Sequence, residues 1–194
     1  MKRCRWAENV PEIYQKYHDI EWGTPVYDDR QLFEMLVLES FHTGLSWLIV
    51  LKKRESFKEA FDDFDVIKIS EYDEFKVQAL LNNPKIIRNE NKIRSTISNA
   101  AAFLKIQQEF GSFSKYLWGF TNYQVQIQSV DLTTSELSDC VSKDLKKRGF
   151  RFMGSVTTQS YLQAVGLIWA HEKDCFRWEE YKWNTNQVLK EKKQ

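Results

Sequence analysis

The chain has 194 residues, 42% of them hydrophobic and 14% aromatic, with 7 glycines and 3 prolines. That is long enough to bury an ordinary core, too apolar for a disordered chain and too poor in turn formers for a turn-rich all-β design. One helical domain is therefore expected over residues 1–186, with a polar tail at 187–194 expected to be disordered. Lysine and arginine number 28 against 27 acidic residues, a formal charge of +1, so no global field draws the chain to nucleic acid or to an anionic membrane and any DNA contact must come from local patches.

The N-terminal stretch MKRCRWAENV lacks the apolar centre of a signal peptide, and no run approaches the roughly 20 apolar residues needed to span a bilayer. The expected location is the cytoplasm, with no membrane partner. Three cysteines in such a chain argue for reduced thiols rather than a disulfide framework. In PEIYQKYHD the proline suits a first helical turn, and Ile13, Tyr14 and Tyr17 share a face. Asp28 and Asp29 precede QLFEMLVLESF, which is apolar nearly all round and predicts a central buried helix. SWLIVLKKRESFKEAF begins apolar and turns amphipathic. EFKVQALLNN breaks at Pro84, and KIRSTISNAAAFLKIQQEF predicts a long helix ending at Gly111. VQIQSV, 125–130, alternates like a short strand or an extended loop. TSELSDCVSKDLKKRG carries helix starters, basic residues in its last turn and Gly149 as a stop, and TTQSYLQAVGLIWAH predicts a final helix that delivers His171 at its end.

Two features within this frame point to chemistry. His171 and Cys175, in HEKDC, lie four apart and on a continuing helix would reach one ion together, although such a pair also fits a packed cysteine beside a surface histidine. With three histidines and three cysteines in all, Cys4 and His18 stand out as partners. The resulting Cys2His2 set would be a closed tetrahedral site for one structural Zn2+ that ties the two ends of the chain together. Reading HEKDC as a zinc-protease motif would need an open coordination position instead. The second feature is Glu39, which falls between Leu32, Met35 and Leu36 on a helix with almost no polar face. A carboxylate there is costly unless it is paired, exposed at the helix end or functional.

The stretches CRWAENVPEIYQKYHDIEWGTPVYDD, LFEMLVLESFHTGLSW, KIIRNENKI, SKDLKKRGFRFMGSV and QAVGLIWAH, with Cys175, keep the order and motifs of one family over roughly residues 4 to 175. They closely resemble the bacterial DNA-3-methyladenine glycosylase I family, and YHDxEWG, GLSW and LKKRGFxFxG are its specific signatures. The resemblance implies an all-α enzyme of helix-hairpin-helix glycosylase architecture that hydrolyses the N-glycosidic bond of 3-methyladenine in double-stranded alkylated DNA. The base would be flipped out and released free, an abasic site would remain, and no lyase step is expected. The resemblance also implies a structural zinc on Cys4, His18, His171 and Cys175, and a base pocket of Tyr14, Tyr17, Trp47, Trp22, Trp6 and His42 around Glu39. Glu39 would act first in recognition and second in catalysis. The aspartate that most of the wider superfamily uses to stabilise charge on the sugar is absent from this group. DNA contact is expected from a hairpin at ALLNNPKIIRNENKIRS through Lys85, Arg88, Lys92 and Arg94, and a monomer is expected. Two departures stand near the site: His42-Thr43 where the family shows Gln-Ala, and Trp169-Ala170 where it shows Asn-Asp. A non-catalytic zinc-containing module that recognises alkylated or distorted DNA is the alternative reading.

Overall fold

The computed structural model describes residues 1–178 and Tyr181, so the expected tail at 187–194 lies outside the described residues. It is mostly helical, as the composition predicts. The central helix α2 (Asp29–His42) starts where Asp28 accepts from the Gln31 amide. Leu32, Phe33, Met35 to Ser40 and Phe41 are all buried, so this helix is apolar all round because other helices surround it. Around it lie α1 (Glu12–Lys16), α3 (Trp47–Lys52), α4 (Arg54–Ala60), α5 (Val66–Ser70), α6 (Glu74–Leu81), α7 (Glu90–Phe110), α8 (Phe113–Gly119), α9 (Glu136–Lys147) and α10 (Ser155–Ala164). Among the described residues, all the buried apolar side chains except Ala7 and Trp169 form one continuous cluster.

The long helix α7 opens on Asn89, which accepts from the Lys92 amide, and closes at Gly111 in a left-handed conformation, as expected. The stretch SWLIVLKKRESFKEAF, which begins apolar and turns amphipathic, forms two helices, α3 and α4, broken at Lys53 (φ −100°, ψ 0°). Helix α8 is capped locally by Ser112, whose hydroxyl accepts from Lys115 N at 3.0 Å. Its first amides are capped by Asp29, whose carboxylate accepts from Phe113 N and Ser114 N at 2.8 Å each and from the Gln107 side chain at 2.7 Å.

The predicted last helix is the main correction to the fold. Helix α10 stops at Ala164, and Ile168–Trp169 forms a strand, β2, paired in parallel with β1 (Gln126–Ile127). The break lies at Gly166 (φ 76°): a Cβ there would sit 2.4 Å from the Thr24 carbonyl carbon and 2.5 Å from Pro25 N, so backbone packs where a side chain would stand. His171 thus arrives on an extended segment. His171 to Cys175 is not helical either; it closes as a turn in which Cys175 N donates to Glu172 O at 2.9 Å.

Candidate functional site

Cys4, His18, His171 and Cys175 are all buried, and one ligand atom from each lies within 4.8 Å of the others. Cys4 Sγ is 3.5 Å from His171 Nδ1, Cys175 Sγ is 3.5 Å from His18 Nε2, and Cys175 Sγ is 3.7 Å from His171 Nδ1. A tetrahedral zinc with Zn–S of about 2.3 Å and Zn–N of about 2.0–2.1 Å sets its ligand atoms about 3.3–3.8 Å apart. These three contacts fall in that range, and the four donors together span up to 4.8 Å, so the residues could close around one ion. The outward nitrogens are also held: His18 Nδ1 lies 2.8 Å from Asp19, itself bound by Arg3, and His171 Nε2 lies 3.0 Å from the Trp22 carbonyl. Support for His171 thus comes from backbone at Trp22, while Trp169 packs its ring 4.6 Å from the imidazole and Ala170 is buried. Burial keeps His171 below the ordinary histidine range and so neutral, the form that ligates metals. Glu172, the protease-like glutamate of HEKDC, is bound to Arg5 through two contacts, 2.9 and 2.6 Å, away from the four donor atoms.

The chain around this cluster builds a second feature. After α1 the backbone tightens into a π-helical turn, Tyr17–Glu21, with Trp22 N donating to Tyr17 O. That turn sends neighbouring residues to different destinations. His18 goes to the cluster, whereas Tyr17 joins Trp6, Tyr14, Trp22, Glu39, His42, Trp47, Val130, Ser160 and Gln163 around a cavity of about 180 Å³. That volume is below the about 300–1,000 Å³ of drug-sized sites and suits one small ring system. Its walls are flat: Tyr17 and Trp47 rings lie 5.2 Å apart, Trp6 and Tyr14 5.4 Å, Trp6 and Trp22 4.9 Å. Trp6 and Trp22 also meet His18 and His171 edge-on at 5.0 and 4.7 Å, so the cluster backs the cavity wall directly.

Glu39 is 4% exposed and lines this cavity. Burial raises its carboxyl above the usual range, and the bond to His42 Nδ1 at 3.2 Å opposes that shift in part. Burial, and secondarily the charge of Glu39, holds the Tyr17 phenol well above its usual value, so it stays protonated. His42 is partly exposed and meets Trp47 edge-on at 5.3 Å. All seven pocket residues expected from sequence come together here. Ser160 and Gln163, both on α10, and Val130 were not foreseen; a polar residue on the buried side of α10 was the only signal available for Gln163.

The expected DNA-contacting set is not brought together as such. Lys92 is 6% exposed, and its ammonium donates to the carbonyls of Phe41 (2.9 Å) and Thr43 (2.7 Å), closing the C-terminus of α2. In this structure it caps the end of that helix. Arg94 is engaged by Glu74 through two bonds, 2.9 and 2.8 Å, and by Glu90 at 2.8 Å. Lys85 and Arg88 are exposed on the connection between α6 and α7. That connection runs from 82 to 89, too long for the tight turn expected, and none of its residues has a positive φ.

A shorter hairpin joins α9 to α10 through residues 148–154, with Gly149 at φ 96° and Phe152 at φ 57°. Asn99 of α7 clamps it, accepting from Arg151 N at 2.8 Å and donating to Arg151 O at 3.0 Å. Helix α10 starts at Gly154 with no side-chain cap, leaving its first amides without the usual partner, and Thr157 meets Thr43 beside the His42 rim. Arg148 is held by Glu109 and Asp144, while Arg151, Lys146 and Lys147 are exposed.

A helical body thus carries a buried carboxylate in a small aromatic cavity beside a Cys2His2 cluster. The chain belongs to the methyladenine glycosylase family, whose pattern it matches over residues 6–178. It is 42% identical over 180 residues to DNA-3-methyladenine glycosylase 1 of Escherichia coli (strain K12), covering 90% of this chain and 96% of that protein. It is 41% identical to the DNA-3-methyladenine glycosylase of Haemophilus influenzae, covering 89% and 96%. A crystal structure of a 3-methyladenine DNA glycosylase I superposes with a TM-score of 0.86 at 44% identity, covering 90% of this chain and 98% of that one. A second, in complex with 3-methyladenine, superposes with the same score at 40% identity, covering 91% and 97%.

Proposed function

We propose that this protein is a DNA glycosylase that binds an N3-methylated adenine flipped out of duplex DNA, hydrolyses its N-glycosidic bond and leaves an abasic site. The observation that carries the reading is Glu39, a nearly inaccessible carboxylate on a cavity walled by Tyr14, Tyr17, Trp6, Trp22 and Trp47. Such a group asks for a counter-charge, and N3-methylation puts a positive charge on the purine while it is attached to the sugar. The aromatic faces attract the same cation by about 1–2 kcal/mol each when desolvated. A neutral adenine would leave the Glu39 charge uncompensated, so the pocket favours the damaged base.

As the bond from the sugar carbon to N9 breaks, its electron pair stays on N9 and the base departs neutral. Less acid assistance is needed than for a normal purine, and water captures the sugar carbon. Glu39 is best read as recognising the base edge first and steadying positive charge second. The Cys2His2 cluster fits a structural zinc, with no ligand position left for chemistry, whose role is to fix Trp6, His18 and Trp22 behind the cavity.

For DNA contact the geometry favours the α9–α10 hairpin over the α6–α7 connection. Its uncapped amides at the start of α10 can hold a phosphate, exposed Arg151 adds charge, and α10 itself carries Ser160 and Gln163 into the cavity. Lys85 and Arg88 remain as peripheral contacts. Incubation of the protein with methylated duplex DNA and identification of released bases tests the reading. Release of 3-methyladenine with abasic sites in equal number is expected; binding without release would favour the non-catalytic DNA-binding module.

A further inference from the structure

Two hydrogen-bond donors on the cavity have no partner among the described residues. Gln163 is 8% exposed and its amide nitrogen is buried and unbonded; the Trp47 indole nitrogen is the same. A buried unpaired N–H is costly, so each such group in a native structure calls for an explanation, of which a functional role is one. The Gln163 backbone is firmly set: its carbonyl accepts from Gly23 N at 3.1 Å and from Gly166 N at 3.3 Å, which locks the end of α10 to the segment after Trp22. Gln163 thus offers an unpaired donor, on an anchored backbone, in the same small cavity where Glu39 offers an acceptor.

That pairing matches one kind of base edge. Adenine presents an exocyclic amine, a donor, beside ring nitrogens N1 and N7 that accept, and methylation at N3 leaves both intact. Guanine presents an oxygen acceptor where adenine has its amine and an N1–H donor where adenine N1 accepts, while N7 accepts in both. We propose that Gln163 is a specificity-determining residue: its amide N–H donates to N1 of the base while Glu39 accepts from the exocyclic amine. The pocket thereby selects 3-methyladenine against 3-methylguanine. A site built to hydrogen-bond its substrate rejects an analogue that leaves those groups unpaired far more strongly than an apolar pocket of equal shape does.

This inference rests on the glycosylase reading, and its test separates the two. Wild type, Gln163→Met and Gln163→Ala are compared on duplex DNA methylated with dimethyl sulfate, with both 3-methylated purines quantified and thermal melting recorded. Binding of free 3-methyladenine is followed by tryptophan fluorescence. Both variants should release 3-methyladenine at least tenfold more slowly, bind the free base more weakly and show a smaller ratio of 3-methyladenine to 3-methylguanine release. A ratio within twofold of wild type overturns the inference, whether release is retained or both bases fall together as a general loss of structure would make them. If wild type releases neither base, the glycosylase reading itself fails.

Discussion

Replacing Glu39 by glutamine separates what this residue does for function from what it costs the fold. The carboxylate is 4% exposed, with one polar partner, His42, at 3.2 Å. Burial is the largest influence on it and raises its pKa; the partly exposed His42 only moderates the shift. For an acid whose folded pKa is raised, the folded state holds the proton more tightly than the unfolded one. Its contribution to stability is then fully present below the ordinary carboxyl value of 4.5 and is lost as pH rises through the raised one. Above that window wild type bears the cost of a buried charge, whereas the amide does not titrate. The pair with His42 offsets about 0–1 kcal/mol, as expected for a partly exposed partner. Glu39→Gln should therefore stabilise the protein near neutral pH by about 1 kcal/mol, a rise in melting temperature of about 2–4 °C at this chain length, and the gain should shrink toward pH 4. Activity should move the other way. Loss of the charge that favours a cationic base should lower 3-methyladenine release tenfold or more, about 1.4 kcal/mol in the transition state. Melting of both proteins from pH 4 to 8, with a base-release assay at pH 7, measures the two effects. A stability difference independent of pH, or a variant with full activity, would refute the reasoning.

Cys4→Ser should remove bound zinc and lower the melting temperature by about 6 °C or more, corresponding to at least about 3 kcal/mol, as measured by metal analysis and calorimetry. Because Trp6 and Trp22 pack on His18 and His171, base release should fall with it. Lys92→Met should destabilise by about 2–3 kcal/mol by orphaning the Phe41 and Thr43 carbonyls, yet leave the salt dependence of DNA binding unchanged; a reduced salt slope would return Lys92 to the DNA interface. Asp29→Ala should cost about 2–3 kcal/mol in denaturant titration, since three donors from Gln107, Phe113 and Ser114 lose a charged acceptor together.

By itself the sequence determined the helical class, the central buried helix, the long helix between Asn89 and Gly111 and the four cysteine and histidine positions that gather in one cluster. Each of these rests on local chemistry: periodicity, capping residues, or the scarcity of histidine and cysteine, which left few ways to complete a tetrahedral set. Glu39 stood out for the same reason, as one carboxylate on an otherwise apolar helix. Tertiary structure decided the rest, because the deciding atoms are far away in the chain. Helix α8 has its first amides held by Asp29, some 84 residues earlier. The final helix ends at Ala164 because the backbone at Thr24 and Pro25 occupies the space beside Gly166. Lys92 and Arg94 look like phosphate ligands in the sequence, but carbonyls of α2 and carboxylates of α6 and α7 have already claimed them. Along the chain Gln163 is marked only as a polar residue on the buried side of a helix. Only the packing of α10 against the segment that follows the π-helical turn shows that its amide faces a cavity with no partner among the described residues.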